Sequence, residues 1–179
     1  MLDFTGWEPL AIDVAGDLRD ASRADADAAY ATIMAAVPAR VAGFEALAAR
    51  HGVDLAGPDA VARLGAWLVE VAKAAGPGLV GTPMWSGLAA DVALWLGQRV
   101  IASTGGAVRW QHYVAHKKAT GYQRAVLVGF AAVDDERYYV DIAHFVASWL
   151  ELALRRRGAR ADFLAVIVAT ARRDAGVDP

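Results

Sequence analysis

Four histidines, His51, His112, His116 and His144, and the carboxylates near them are the residues of this 179-residue chain best suited to acid–base or metal chemistry. A zinc-type site needs at least three such ligands converging in space. His112 and His116 stand four apart, a spacing that stacks two imidazoles on one helical face in zinc-dependent hydrolases. That motif has glutamate after the first histidine, whereas Tyr113 stands here, and Lys117-Lys118 would repel a cation. A strand residue and a turn residue are the expected roles, with no metal and no other cofactor. Asp141-Ile142-Ala143-His144 places an acid one helical turn before a histidine, a pairing that can orient an imidazole as a general base. The same spacing makes surface neighbours on any helix. No glycine-flanked serine accompanies the pair, because Ser22, Ser86, Ser103 and Ser148 all fall within or at the ends of predicted helices. Asp91, Asp141 and His144 are the most a hydrolase reading can offer. No catalytic residue is assigned.

Two further patterns touch ligand chemistry. Gly76-Pro77-Gly78-Leu79-Val80-Gly81-Thr82 precedes a helix and could cradle a phosphate. Its spacing matches neither the Walker nor the dinucleotide pattern and no lysine follows, so a helix–helix loop is expected. Charge is unevenly divided: residues 1–90 carry net −5 and residues 91–179 net +3, giving −2 overall. Arg109, Lys117, Lys118 and Arg124 alternate with Trp110, Tyr113 and Tyr122, and such interleaving can track a nucleic-acid backbone. The overall charge gives no reason to expect a polyanion across the whole surface.

The elements that must position these residues follow from periodicity. Gly16–Val37 reads as one helix, with Tyr30, Ile33, Met34 and Val37 on its apolar stripe, and Pro38 opens a second that ends near Arg50-His51-Gly52. Pro58-Asp59 starts a third, carrying Leu64, Trp67 and Leu68. Thr82-Pro83 supplies an N-cap and first-turn proline for a fourth, stopped by Gly105-Gly106. From Ala107 the period drops to two: Val108, Trp110, His112 and Val114 on one face, Arg109, Gln111 and Tyr113 on the other. Gln123–Phe130 forms the return strand and His116–Tyr122 the loop. Asp134 or Asp135 is expected to cap a fifth helix that closes at Gly158, and a sixth spans about Asp162–Arg173. The expected fold is α+β and predominantly helical, a single domain over 1–179. About six helices surround the central one at 83–103, with a hairpin at 107–130. Trp67, Trp85, Trp95, Trp110 and Trp149 all fall on core faces, leaving open a tryptophan-lined pocket.

The runs Gly52-Val53-Asp54-Leu55, Ala66-Trp67-Leu68, Trp95-Leu96-Gly97 and Gly106-Ala107-Val108-Arg109-Trp110 resemble an uncharacterised family of small bacterial domains. In that family an apolar helix with a Leu-Gly pair leads into a tryptophan-bearing strand. The likeness covers about residues 52–130 and implies no activity.

Composition sets the remaining bounds. Forty-one alanines account for most of the 56% hydrophobic content and the mean hydropathy of +0.29. Their abundance points to a bacterial source with a GC-rich genome. The absence of cysteine removes disulfides, thiolate nucleophiles and cysteine-ligated metals. The apolar runs 142–154 and 163–171 fall short of the roughly 20 residues a bilayer requires. The acidic first residues lack the basic region of a signal peptide, so the cytoplasm is the expected location, with no membrane.

With catalytic constellations lacking, the chain reads as a non-enzymatic interaction protein of the immunity or antitoxin kind, masking a protein partner. The candidate contact residues are Arg109, Lys117, Lys118, Tyr122 and Arg124, with Asp17, Asp20, Asp25 and Asp27 as an acidic counterpart. Nucleic-acid binding by the hairpin and small-ligand binding in a tryptophan-lined pocket are the alternatives. A hydrolase ranks below them.

Overall fold

The computed structural model describes residues 4–10, 16–155 and 158–177. Among these, five α-helices run in the order α1 (Arg23–Arg50), α2 (Ala60–Ala75), α3 (Pro83–Ser103), α4 (Ile142–Leu154) and α5 (Phe163–Asp174). Between α3 and α4 lie two antiparallel strands, β1 (Arg109–His112) and β2 (Ala125–Val128). The α+β class and the helical predominance stand; the count of six helices does not. The two helices expected on either side of Pro38 are one, because Ala29, Ile33, Val37, Phe44 and Leu47 carry a single buried stripe straight through the proline. Pro38 removes one backbone donor and leaves the Met34 carbonyl without its helical partner. The proline itself is exposed, so water can supply that bond. The helix starts at a side-chain N-cap in which the Ser22 hydroxyl accepts from the Asp25 amide at 3.1 Å. By length and composition alone α1 also matches a membrane-spanning helix, which the 142–154 and 163–171 runs do not.

Helix α3 occupies the centre, packed by α1, α4 and α5. Every residue from Leu88 to Gly97 except Ala90 is buried. It begins where the sequence indicates, with the Thr82 hydroxyl accepting from the Trp85 amide and Pro83 in the first turn. Trp95 is only 1% exposed and meets Phe44 edge to face. Gly97 is where the hairpin lies down on α3. A Cβ there would sit 2.1 Å from the Trp110 ring, so only glycine lets the indole cross the helix. This contact gives a packing reason for the Leu-Gly and tryptophan pattern of the sequence.

The strands pair in the register Arg109↔Val128 through His112↔Ala125, with Trp110 and His112 half-buried and Arg109 and Gln111 exposed, as period two requires. Tyr113 departs from that alternation. It lies on the outer face yet is buried, because the 137–139 segment folds over it and sets Tyr139 tilted against its ring, centres 4.2 Å apart. The same segment displaces the start of α4. Val140 pairs with Leu127 through two 2.9 Å backbone bonds, holding the chain extended up to Asp141. Neither Asp134 nor Asp135 caps a helix. Asp135 closes a local turn on the Arg137 amide, and the cap is Asp141.

Candidate functional site

Asp141 and His144 meet, but not as an acid–base pair. The carboxylate accepts from the backbone amide of His144 at 3.0 Å, the ordinary work of a helix cap, and the imidazole lies beside Phe145. The carboxylate's other neighbour is Arg124 at 3.7 Å. Asp91 is fully buried, and both of its oxygens are occupied. Arg40 reaches one with Nε at 2.8 Å and the other with Nη2, while the Trp7 indole donates to Asp91 at 2.7 Å. Arg40 Nη1 also donates to the Glu8 carbonyl at 2.7 Å, so this cluster straps residues 7–9 across α1 and α3. Asp91 is thus committed to a guanidinium and an indole, whereas Asp141 caps α4 through one oxygen and keeps the other buried without a hydrogen-bond partner among the described residues.

The histidines divide between surface and seam. His116 is exposed in the hairpin loop and does not join His112. Among the described residues no three histidine, aspartate or glutamate side chains converge. His112 instead bridges β1 to α1. Its Nδ1 is 2.6 Å from Asp27, its ring stacks on Tyr30 at 5.3 Å, and its Nε2 is buried without a partner. Sequence reasoning missed this pair because its members are 85 positions apart and nothing local joins them. Its signal, an aspartate and a tyrosine three residues apart on one helix, is common to many helices.

The hairpin tip is tied to the N-terminal segment. Gln123, in left-handed backbone at φ 61°, points its amide at the carbonyls of Leu18 (2.7 Å) and Ala21 (3.0 Å). Arg124 pairs with Asp17 at 2.8 Å, and Arg19 donates to the Lys118 carbonyl at 3.2 Å. Of the candidate contact residues, Arg124 is therefore engaged within the chain, Tyr122 is half-buried, and Arg109, Lys117 and Lys118 are exposed. The acidic and basic halves of the sequence meet each other along this seam.

The seam is sensitive to acid. The Arg19 amide and the Arg124 guanidinium outweigh partial desolvation and hold Asp17 below its usual value. At Asp27, desolvation pushes upward but hydrogen bonds from His112 and Arg23 prevail, and the carboxyl is again lowered. A lowered folded value stabilises above the unfolded one, so the contribution is complete above about pH 4 and is lost as the pH falls through the folded values. The protection of hairpin-tip amides against hydrogen exchange, taken relative to the intrinsic rate at each pH, should fall on acidification below about pH 4, in advance of global unfolding. Asp17→Asn should remove part of that pH dependence; an unchanged profile would show that the Arg124 pair contributes nothing.

A larger apolar concavity lies elsewhere, away from these acids. A cleft of about 790 Å³ opens between Phe4, His51 at the end of α1, Val71, Ala74 and Ala75 at the end of α2, and Leu79 and Met84 before and within α3. None of these is a tryptophan, although Trp67 packs beside His51 with ring centres 5.7 Å apart. The Gly76–Thr82 loop is the connection expected of it, a 3-10 turn at Pro77–Leu79 that forms one wall. Among protein-family models, curated proteins and solved structures, none matches the chain.

Proposed function

We propose that this protein is a non-enzymatic interaction module that masks a protein partner, in the manner of an immunity protein or antitoxin, and that α1 is its contact helix. The observation carrying this reading is the solvent face of α1. From Ala28 to Ala49 no exposed residue on it is charged. Ala28, Ala35, Ala42 and Ala49 recur every seven residues with Ala31, Ala39 and Ala46 between them, along about 33 Å of helix. Water-facing helix surfaces normally carry the charged residues. Small side chains with three- and four-residue spacing instead let a second helix approach closely and pack along the groove. Charged groups cluster at the two ends, with Asp20, Arg23, Asp25 and Asp27 before the stripe and Arg50 after it. Such flanks fix the register of a partner and steer its approach. The exposed Lys117 and Lys118 offer a secondary contact.

A capture experiment from native lysate tests the reading. Wild-type protein is compared with the double variant Ala35→Glu/Ala42→Glu, whose substitutions fall on the exposed face and should leave the melting curve within about 1 kcal/mol of wild type. A protein recovered by the wild type and lost in the variant is expected. Recovery of the same protein by both, or of none by either, would remove α1 as the contact helix.

A further inference from the structure

The cleft beside α2 is walled mainly by apolar side chains, and those walls indicate what would fill it. It exists because the helix that should close it ends in small residues. Ala74 and Ala75 occupy the last turn of α2 where a leucine or phenylalanine would fill the gap, and Gly76-Pro77-Gly78 then turns the chain away. Phe4 and Met84 both line it, an aromatic ring and a flexible thioether of the kind that adapts to varied apolar shapes. Its volume of about 790 Å³ is within the range of small-molecule sites.

Among the described residues no charged side chain lines the cleft. A charged ligand would lose its hydration against those walls without compensation from them, which disfavours organic acids, phosphates and ammonium compounds. Among the described residues His51 is the one polar side chain in the wall, and it leans on Trp67. The remaining polar groups are backbone ones. Gly76 donates back to the Ala72 carbonyl at 2.9 Å, whereas the carbonyls of Ala74 and Ala75 accept no bond from the described residues. The end of a helix presents unpaired acceptors and a partial negative charge. A ligand's polar group should therefore be a donor. We infer that this cleft binds an uncharged, largely apolar molecule of two or three rings that carries an N–H or O–H donor.

N-Phenylnaphthylamine meets that description, fluoresces in apolar surroundings, and has an anionic counterpart, anilinonaphthalene sulfonate, with the same rings. Titration into the full-length chain should give saturable one-to-one binding, with the sulfonate at least about tenfold weaker. Ala75→Trp, which fills the cleft from an exposed position, should weaken binding at least about tenfold while the melting curve shows a folded protein. If that variant does not fold, Ala74→Trp is measured in its place. The Ala35→Glu/Ala42→Glu variant should bind the probe like wild type, separating the cleft from the α1 face. Unsaturable uptake, a sulfonate bound as tightly as the amine, unchanged affinity in the filled variants, or loss of binding in the α1 variant would each overturn the inference.

Discussion

Arg40→Met is expected to destabilise the protein by about 3–5 kcal/mol, because it leaves a buried carboxylate without its cation. Asp91 has no exposure to solvent and sits in the middle of the central helix. Its charge is tolerated there because a guanidinium engages both oxygens and an indole N–H supplies a further bond. Methionine keeps much of the apolar stem of arginine and removes the guanidinium, together with its contact over the Trp7 ring at 5.5 Å. The Glu8 carbonyl also loses its donor, so residues 7–9 should loosen in the same variant. The double variant Arg40→Met/Asp91→Leu distinguishes an unpaired charge from simple loss of contacts. If the charge is the cause, removing both partners recovers most of the stability, as replacements of buried pairs by apolar residues often do. Chemical denaturation of the wild type and the two variants reads the outcome. Single and double variants of equal stability would show that the cost lies in packing and that the pair serves only to fix α1 against α3.

This network also marks where sequence reading stopped. Asp91 was visible as the lone acid in an apolar helix, and such a residue reads as a catalytic candidate on chemistry alone. Its partner lies 51 positions away on α1, with Trp7 a further 33 residues upstream of that. Pairings of this range have no local signature. Helix α3, by contrast, was legible at both ends, since Thr82-Pro83 and Gly105-Gly106 act through the backbone of the residues beside them. The hairpin was legible for the same reason, its two-residue period being a property of each strand. Two boundaries misled. Pro38 looked like a helix start because proline favours that position, yet the stripe through Ile33, Val37 and Phe44 outweighed the one lost bond. Asp134-Asp135 looked like a cap until Val140 was claimed by β2, a tertiary contact that no local pattern announces. The functional surfaces proposed here were hidden for a related reason. Alanine scores as helix-forming and apolar wherever it stands, so a stripe facing water and one facing the core read alike until burial is known.

Trp95→Ala should cost about 3–5 kcal/mol, the range found when a large core side chain is truncated. The indole lies between α3 and α1, only 1% exposed, with Phe44 edge-on at 6.4 Å. It also performs polar work that its burial conceals. Its N–H donates to Glu45 at 3.0 Å, and the Arg99 guanidinium sits 4.9 Å above the ring while reaching the Leu55 carbonyl. Truncation therefore opens a cavity, frees a half-buried carboxylate and removes the platform beneath an arginine that ties the α1–α2 connection to α3. Trp95→Phe separates these effects. It keeps most of the volume and an aromatic face for Arg99 but removes the donor, so it should cost about 1–2 kcal/mol, near the value of one hydrogen bond plus a small cavity. Thermal melts would rank wild type above Trp95→Phe and Trp95→Ala well below both. An alanine variant that melts with wild type would place α3 outside the core, and the helix would then have to be packed by something other than α1 and α4.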